Sequence, residues 1–361
     1  MKKLPARWLF IPAAAVLVIA ALYGVWQNRT HTSAGADMQA ETFNAAPPQT
    51  ARLSAWIADW NWKVGMEDFS KLSGRLDEVQ MFAAYFDAED HLYFTPTYKE
   101  ALPNLRNAAA SASVSSLVLT VVNDRYQADG TPVQKDPQLV SRLLGSKQSR
   151  TDHIEELAQA VQEGGFQGLE IDYEKIDKQD YGRLVLFIKE LHQRLGSNGR
   201  TLRVVLEPGM PIETMKLPEG PSYVMMAYNL YGTHSGPGPK ADLGFIRKLA
   251  VRMSKLPGEP SIAFATGGFD WPSSGKITAL TELEAEAIAA RQSASVSRDA
   301  ASGAVYYTYS GSDGVSHTVW YADGITLYRW IQAANQKGIR DISLWRLGGF
   351  SPSTVKTLSK L

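Results

Sequence analysis

Strand-like and helix-like segments alternate along almost the whole chain, and this alternation restricts the fold more than any other feature. Eight short apolar runs are typical of buried strands, and most are followed by a segment whose apolar residues have helical spacing. Repeated β/α steps over about 300 residues favour a closed (β/α)8 barrel, a TIM barrel in the α/β class, over an open sheet. The predicted strands are residues 53–57, 79–86, 117–122, 168–174, 202–206, 223–228, 261–266 and 341–345.

The connection after the seventh predicted strand is unusually long. Residues 304–310 and 316–321 have strand-like patterns, and a glycine-containing turn separates them, so we expect a hairpin there. The segment at about 267–322 is therefore predicted to be a small α+β insertion after strand 7, within a barrel that covers residues 51–361. The predicted helices are residues 66–76, 102–111, 138–144, 152–163, 181–195, 243–255 and 324–337.

The fourth predicted strand carries a row of three carboxylates, Glu170, Asp172 and Glu174, which alternate with apolar or aromatic residues. Side chains two apart in a strand share a face, so the three acids line up. Helical segments precede and follow this strand, which favours a covered parallel sheet, where acids are unfavourable unless they serve a site. A solvated edge strand is the alternative interpretation.

Composition excludes several classes of function. Lys plus Arg and Asp plus Glu number 37 each in the 361 residues, so no net field favours nucleic acid. There is no cysteine, which excludes disulfides and thiolate metal sites, and the six histidines do not pair at ligand spacing. We therefore expect no metal, no cofactor and no nucleic-acid partner. We also expect a monomeric protein.

The amino-terminal sequence predicts a membrane anchor. Lysines and an arginine precede an uncharged stretch at residues 8–26, whose 19 residues are long enough to cross a bilayer as a helix. The positive flank predicts an extracytoplasmic protein anchored by residues 1–26, a signal-anchor, with residues 27–50 as a flexible tether. The alternative is a cleaved signal peptide, with small residues at 34–36 as the cleavage site, and a secreted protein.

Polar and aromatic residues accumulate where the predicted strands end, which in such barrels is the edge that carries the site. Carboxylates and aromatic platforms together favour a carbohydrate, because sugar rings offer flat C–H faces and hydroxyl groups. Trp62, Asp124 and Arg346 lie at the same edge. The predicted substrate-binding residues are Trp60, Tyr85, Asn123, Glu170, Glu207, Asn229, Trp271 and Trp345.

The acidic strand resembles that of the family 18 glycoside hydrolases, the chitinase-like barrels. Their fourth-strand signature, Asp-Gly-x-Asp-x-Asp-x-Glu, aligns with residues 167–174. Asp172 and Glu174 match this signature, whereas Gln167 and Glu170 replace two aspartates. The altered acids are closest to the bacterial cell-wall and spore-cortex branch of the family.

Two further signatures support the resemblance, which covers residues 52–361. The sixth-strand Met-x-Tyr-Asp signature resembles residues 226–229, with Asn229 in place of the aspartate, and Trp345 matches the eighth-strand tryptophan. The third-strand Ser-x-Gly-Gly signature is absent. Three signatures in order on the expected strands indicate the family more strongly than one.

The resemblance implies a retaining glycoside hydrolase that acts on β-linked N-acetylglucosamine-containing glycans, either peptidoglycan or a chitin-like polymer. Glu174 would be the general acid and base, and Asp172 would orient the 2-acetamido group of the substrate, which supplies its own nucleophile. Tyr228 would hydrogen-bond the acetamido oxygen, and Trp345 would pack beneath the sugar that is cleaved. Glu170 would adjust the pKa of Asp172 from deeper in the barrel. Crowding of the two acids favours one of them holding a proton near neutral pH.

Two other interpretations remain open at this stage. The chain could be a catalytically inactive, glycan-binding barrel, since residues 167, 170 and 229 depart from the family pattern. It could also be an unrelated barrel enzyme that binds phosphate through glycines at 267–268 and 348–349, although isolated glycine pairs are a weak signal.

Overall fold

The computed structural model describes residues 51–112, 114–312 and 314–361. The predicted anchor at 1–26 and tether at 27–50 lie outside these residues. Among the helices that the structure describes, none is both long and apolar enough to cross a membrane.

Eight parallel strands form the predicted closed barrel. Each strand pairs with its neighbours in chain order, and the last pairs in parallel with both the first and the seventh, which closes the sheet. The prediction of a (β/α)8 barrel is therefore confirmed. The strands are β1 (Arg52–Ala58), β2 (Glu78–Phe86), β3 (Ser116–Tyr126), β4 (Gly168–Asp172), β5 (Thr201–Leu206), β6 (Ser222–Met226), β7 (Ser261–Ala265) and β8 (Asp341–Trp345).

The strands are buried on both faces because helices cover the outside and side chains fill the inside. One face of each strand packs against the helices, as Leu169 and Ile171 of β4 do. The other face points into the barrel, where apolar residues such as Trp56 and Val205 form a separate, inner cluster. The near-continuous burial of the strands follows from this double covering.

Helices connect most of the strands and begin at clear sequence signals. Proline occupies a first-turn position in three of them, and Ser146 and Ser149 form a reciprocal capping box at another. The described helices are α1 (Trp62–Leu72), α2 (Pro96–Ser111), α3 (Pro137–Leu144), α4 (Lys147–Glu163), α5 (Tyr181–Gly196), α6 (Leu243–Met253), α7 (Glu282–Arg291), α8 (Gly324–Asn335) and α9 (Pro352–Leu358). Short 3₁₀ turns lie at Asp59–Asn61, Ser73–Arg75 and Lys178–Asp180.

A five-stranded antiparallel sheet and helix α7 follow β7 and form the α+β insertion. Residues Val305–Ser310 and Ser316–Ala322 pair as a hairpin, and Gly267–Pro272 pairs with the second of these strands. The other two strands are Thr278–Leu280 and Ser297–Arg298. The insertion has its own apolar cluster, which includes Ala285 and Tyr307. It therefore packs around a small core rather than extending as a loop.

Outside the barrel sheet proper, two short strands extend β2 and β3 by antiparallel pairing. Leu92–Phe94 pairs with the end of β2, and Pro132–Val133 pairs with Arg125 and Tyr126 at the end of β3. The second pairing returns the chain to the carboxyl edge of the barrel, where residues 135 and 136 hydrogen-bond to the end of β3 and Lys135 lies beside Asp172 of β4.

Candidate active site

The acidic row lies at the carboxyl end of β4, but only part of it belongs to the strand. Glu170 and Asp172 are strand residues that point into the barrel, whereas the strand ends at Asp172 and Glu174 follows it. The predicted strand at 168–174 was therefore too long. Its ladder to β5 ends at Ile171, so Glu174 has no strand partner and depends on side chains for its position.

Asn123 replaces the missing strand partner. Its side-chain oxygen accepts a hydrogen bond from the backbone N–H of Glu174 at 2.9 Å, and its amide donates to the Glu174 carbonyl at 2.9 Å. The same amide donates to the Asp136 carbonyl at 3.2 Å. Asn123 is fully buried, so in this structure it fixes the backbone of Glu174 instead of facing the cleft.

Lys135 sits among the carboxylates. Its Nζ lies 2.6 Å from Oε1 of Glu174 and 3.9 Å from Oδ2 of Asp172. Its own N–H donates to Asp124 Oδ1 at 2.8 Å, so the backbone of Lys135 is held as well. The surrounding acids, Asp172 foremost, raise the pKa of Lys135 although burial opposes them. The ammonium group of Lys135 thus contacts two acids, and its backbone N–H binds a third, Asp124.

Asp172 is the most deeply perturbed acid of the site. Burial raises its pKa well above the ordinary value, the charge of Lys135 opposes this, and the charges of Glu174, Glu170 and Asp124 add to it. Its Oδ1 is buried and has no hydrogen-bond partner among the described residues. The structure therefore favours a protonated Asp172 and leaves one of its oxygens unpaired.

Tyr228, just beyond β6, is buried beside the same acids. Burial raises the pKa of its hydroxyl, and the charges of Asp172, Glu174 and Glu170 raise it further. Its hydroxyl stays protonated and is available as a hydrogen-bond donor. Glu207, beyond β5, also lies close to Glu174; it accepts from the Lys175 N–H at 2.7 Å, and burial raises its pKa.

Glu170 lies below this group and has no access to solvent. Its Oε1 accepts from Trp56 Nε1 at 2.5 Å and from Thr120 Oγ1 at 2.8 Å, and its Oε2 accepts from Arg203 Nε at 2.9 Å. All of its oxygens are occupied within the barrel. It can therefore act on the site through charge and packing, and a direct contact with substrate is not open to it in this structure.

An aromatic wall stands beside the acids. Trp345, at the end of β8, lies 4.8 Å from Phe82 and 5.8 Å from Trp56, measured between ring centroids, and the peptide bond after it is cis. Trp60 lies 6.4 Å from Trp345 and is 53% exposed. An exposed indole beside a half-buried one offers flat apolar surfaces to a sugar ring.

Two predicted binding residues are engaged within the protein. Tyr85 is buried, and its hydroxyl donates to Asp59 Oδ1 at 2.7 Å. Trp271 is buried in the insertion, and its indole N–H donates to the carbonyls of Gly232 and Ser235 at 3.3 and 3.2 Å. Their side chains pack the walls of the site, and neither ring is free to stack on a ligand in this conformation.

A cavity of about 660 Å³ opens between the aromatic wall and the insertion. Trp60, Trp345 and Asn229 line it, and Asn229 is exposed with a left-handed backbone. Lys240 and Arg346 line it as well. Among the described residues no cluster of three or more His, Asp or Glu could hold a metal ion.

The structure thus joins Asp172, Glu174, Tyr228 and Glu207 in one acidic group, with Trp60, Trp345 and Asn229 in the adjoining cavity. Sequence reasoning did not single out Lys135 or Lys240. Neither residue carries a local signal, since an isolated lysine in a polar segment is ordinarily solvated. Only the antiparallel return of the chain after β3 places Lys135 beside β4.

A closed parallel barrel with paired acids at its carboxyl edge, flanked by tryptophans, defines a carbohydrate-active barrel of the glycosidase class. The family model described as Glycosyl hydrolases family 18 matches residues 134–349, more than half of the chain. The chain belongs to this family of glycosidases, and its relatives include enzymes of the bacterial spore-cortex branch.

One curated relative is the cortical fragment-lytic enzyme of Bacillus cereus, which is 25% identical over 291 residues, or 74% of this chain and 64% of that protein. The chain spans 55% of the length of another curated relative. The crystal structure of the spore cortex-lytic enzyme SleL from Bacillus cereus has a TM-score of 0.75 at 18% identity, covering 87% of this chain and 74% of that chain. A chitinase from Chromobacterium violaceum ATCC 12472 has a TM-score of 0.73 at 17% identity, covering 86% and 98%. Likenesses to structures at these identities show the fold alone.

Proposed function

We propose that this chain is a retaining glycoside hydrolase that cleaves β-linked N-acetylglucosamine-containing glycans, with peptidoglycan or a chitin-like polymer as substrate. The observation that carries the proposal is the placement of Asp172 and Glu174 at the carboxyl end of β4, beside Tyr228 and the aromatic wall. The names of the relatives add support, since one is cortex-lytic and another is a chitinase.

In the proposed reaction Glu174 donates a proton to the glycosidic oxygen as the bond to the anomeric carbon breaks. The 2-acetamido oxygen of the same sugar attacks that carbon and gives a cyclic oxazolinium ion. Asp172 stabilises its positive charge, and the Tyr228 hydroxyl donates a hydrogen bond to the acetamido oxygen. Water then attacks the anomeric carbon from the face that the leaving group vacated. Its proton returns to Glu174, so the configuration is retained.

The proton needed for the first step is available within the acidic group. Burial raises the pKa of Asp172 and so favours its protonated form, and the charge of Glu174 adds to this. When Asp172 is engaged by the acetamido group, we propose that its proton passes to Glu174. Lys135 occupies Oε1 of Glu174, so Oε2 is the oxygen that remains for the leaving group.

The alternative is a glycan-binding barrel that does not hydrolyse. The ion pair between Lys135 and Glu174 is the observation that favours it, because the ammonium group occupies one carboxylate oxygen of Glu174. Such a protein binds glycan and releases no new reducing ends, and its binding does not depend on Glu174.

Reducing-end release from peptidoglycan, chitin oligomers and high-mannose glycans, measured in parallel, tests both. The test uses the full chain, Glu174→Gln, and Glu163→Gln as a matched control on the exposed face of α4. We expect release from one substrate class, its loss in Glu174→Gln and no change in Glu163→Gln. Release that survives Glu174→Gln would overturn the assigned role. Proton NMR of the first product anomer tests retention.

We also propose that the protein is extracytoplasmic, monomeric and anchored by residues 1–26. This proposal rests on the sequence pattern alone. Cell fractionation and protease treatment of intact cells test it. Recovery of the chain in the membrane fraction with a protease-accessible barrel is expected, and a soluble, protected barrel would refute it.

A further inference from the structure

The cavity beside the aromatic wall carries two cationic side chains. Lys240 Nζ donates to the Thr266 carbonyl at 2.6 Å and lies 4.9 Å from the centroid of the Phe269 ring. The guanidinium of Arg346 lies 5.8 Å from the centroid of the Trp60 ring. Both residues line the cavity of about 660 Å³. The cavity is therefore lined by positive charge and by the same tryptophans that flank the acids.

Neither cation has a carboxylate partner among the described residues. Within the part of the chain that the structure describes, no salt bridge involves Lys240 or Arg346, and Arg346 Nη1 is buried with no hydrogen-bond partner. Burial lowers the pKa of Arg346, and burial together with the charge of Arg346 lowers the pKa of Lys240 to about 7. Two cations that line one cavity with no carboxylate in contact are unfavourable in a protein unless an anion completes the group.

The acid that lines the same cavity is already engaged. Glu284 accepts hydrogen bonds on Oε2 from the Thr281 N–H at 2.7 Å and from Thr281 Oγ1 at 2.9 Å, which caps helix α7. Its charge acts on Arg346 electrostatically, without a hydrogen bond or ion pair. Glu284 therefore moderates the positive charge of the cavity without neutralising it by contact.

The glycine-rich turns beside this cavity are not arranged to bind phosphate. The N–H groups of Gly348 and Phe350 both donate to Asp68 Oδ2, at 2.8 and 3.0 Å. Gly267 and Gly268 belong to a strand of the insertion and pair with Ala322 and Tyr321. A carboxylate held by side chains fits this cavity better than a phosphate held by backbone amides.

We propose that this cavity binds the carboxylate of an acidic sugar in the glycan chain, with Lys240 and Arg346 as its ligands and Trp60 as the platform for the ring. The proposal rests on the proposed glycosidase function and names the substrate class more closely. Two sources carry this chemistry next to N-acetylglucosamine: the lactyl carboxylate of a muramic acid residue and the ring carboxylate of a uronic acid. Arginine matches a carboxylate with two parallel N–H donors, and lysine adds a point charge.

The first test compares each acidic oligosaccharide with its amidated form on the wild-type full chain. The substrates are a tetrasaccharide of alternating N-acetylglucosamine and N-acetylmuramic acid, one of alternating N-acetylglucosamine and glucuronic acid, and neutral chitotetraose. Amidation removes the charge and keeps the size. We expect kcat/KM to fall about 10- to 100-fold on amidation of the preferred acid, the range typical of hydrogen bonds to a charged group. The preferred acid identifies the source.

The second test assigns the preference to the two side chains. Lys240→Gln and Arg346→Gln should each abolish most of the preference for the acid over its amide, Lys240→Arg should keep it, and Lys276→Gln is the control. Lys276 is exposed on the insertion and does not line the cavity. An equal loss on acidic, amidated and neutral substrates would show a structural role and overturn the proposal.

The third test separates the failure of this proposal from the failure of the proposed function. Binding of the same oligosaccharides to Glu174→Gln, followed by calorimetry, does not require hydrolysis. Acid-selective binding without any hydrolysis by the wild type would support the subsite and refute the glycosidase. Hydrolysis with no acid preference would do the reverse. Displacement by inorganic phosphate, with no preference for either acid, would also overturn the carboxylate assignment.

Discussion

Replacing Glu170 with glutamine removes one negative charge from the barrel interior and leaves the side-chain volume almost unchanged. Glu170 accepts three hydrogen bonds, from Trp56, Thr120 and Arg203. An amide has one acceptor oxygen where the carboxylate has two. If the NH₂ group of the glutamine faces Arg203, two hydrogen-bond donors meet. If the NH₂ group faces Trp56, the indole N–H of Trp56 loses its acceptor. Glutamine therefore cannot satisfy this site in either orientation.

The size of the effect follows from burial. Glu170 is fully buried, and Arg203 is nearly so, with Glu78 at 3.1 Å as its second acid. Removing one member of a buried ion pair destabilises a protein by about 3–5 kcal/mol, because the other charge is left uncompensated. Glu78 retains part of the compensation, so we expect a loss in the free energy of unfolding of about 3 kcal/mol, at the lower end of that range.

Urea unfolding at pH 7 measures this loss, with Glu163→Gln as an exposed control and Arg203→Met alongside. The double variant Glu170→Gln, Arg203→Met should lose less than the sum of the two single variants, because both charges are then gone. A raised KM with unchanged stability would refute the reasoning and return Glu170 to direct contact with substrate. So would a loss below about 1 kcal/mol, which is within the range of an ordinary surface change.

Three further predictions follow from the perturbed groups of the site. Asp172→Asn should abolish hydrolysis yet raise the free energy of unfolding more at pH 8 than at pH 4. Burial raises the pKa of Asp172, so the wild type loses stability as the pH rises from the ordinary pKa of an aspartate toward the raised pKa. An equal gain in the free energy of unfolding of the variant at both pH values would contradict this. Lys135→Met should unfold at lower urea concentration at pH 7. Its acid neighbours raise the pKa of Lys135, so the stabilisation by its charge is complete below the ordinary pKa of 10.5 and is lost only as the pH rises above the raised pKa. An unchanged urea midpoint would count against the ion pairs. For Lys240, whose pKa falls from 10.5 to about 7, the free energy of unfolding of the wild type should rise with pH between these values by at most about 5 kcal/mol, and Lys240→Met should remove that slope in urea titrations; a slope that persists would refute the assignment.

The barrel and the inward direction of Glu170 and Asp172 were predictable because both depend on local periodicity. A strand places alternate residues on one face, so the spacing of Glu170 and Asp172 sets their direction as soon as β4 is recognised. The length of that strand was not predictable from the same pattern. It ends at Asp172 because its ladder to β5 stops, and a side chain from β3, Asn123, then holds Glu174.

The cations of the site were not predictable, since their positions depend on contacts between distant segments. Lys135 reaches Glu174 because residues after β3 pair back on the strand, and its backbone has a positive φ of 55°. Lys240 and Arg346 meet in one cavity although a whole insertion separates them in the sequence. For the predicted aromatic residues, the sequence indicated the position but not the contacts. Tyr85 and Trp271 lie at the expected edge, yet each has its polar atom satisfied within the protein, and their roles in binding stay predictions.

The location of the shared proton is the point at which sequence and structure must be combined. Charge crowding on one face predicts that one acid of the pair is protonated, but it does not say which. In the structure burial acts most strongly on Asp172, whereas Lys135 contacts Glu174 at 2.6 Å. Burial therefore favours the protonated form of the deeper acid, Asp172, and the proposed general acid, Glu174, is held by a cation. In the proposed reaction the acetamido group of the substrate would therefore have to displace the proton from Asp172 before the bond breaks. The leaving-group oxygen would have to approach the carboxylate oxygen of Glu174 that Lys135 does not contact.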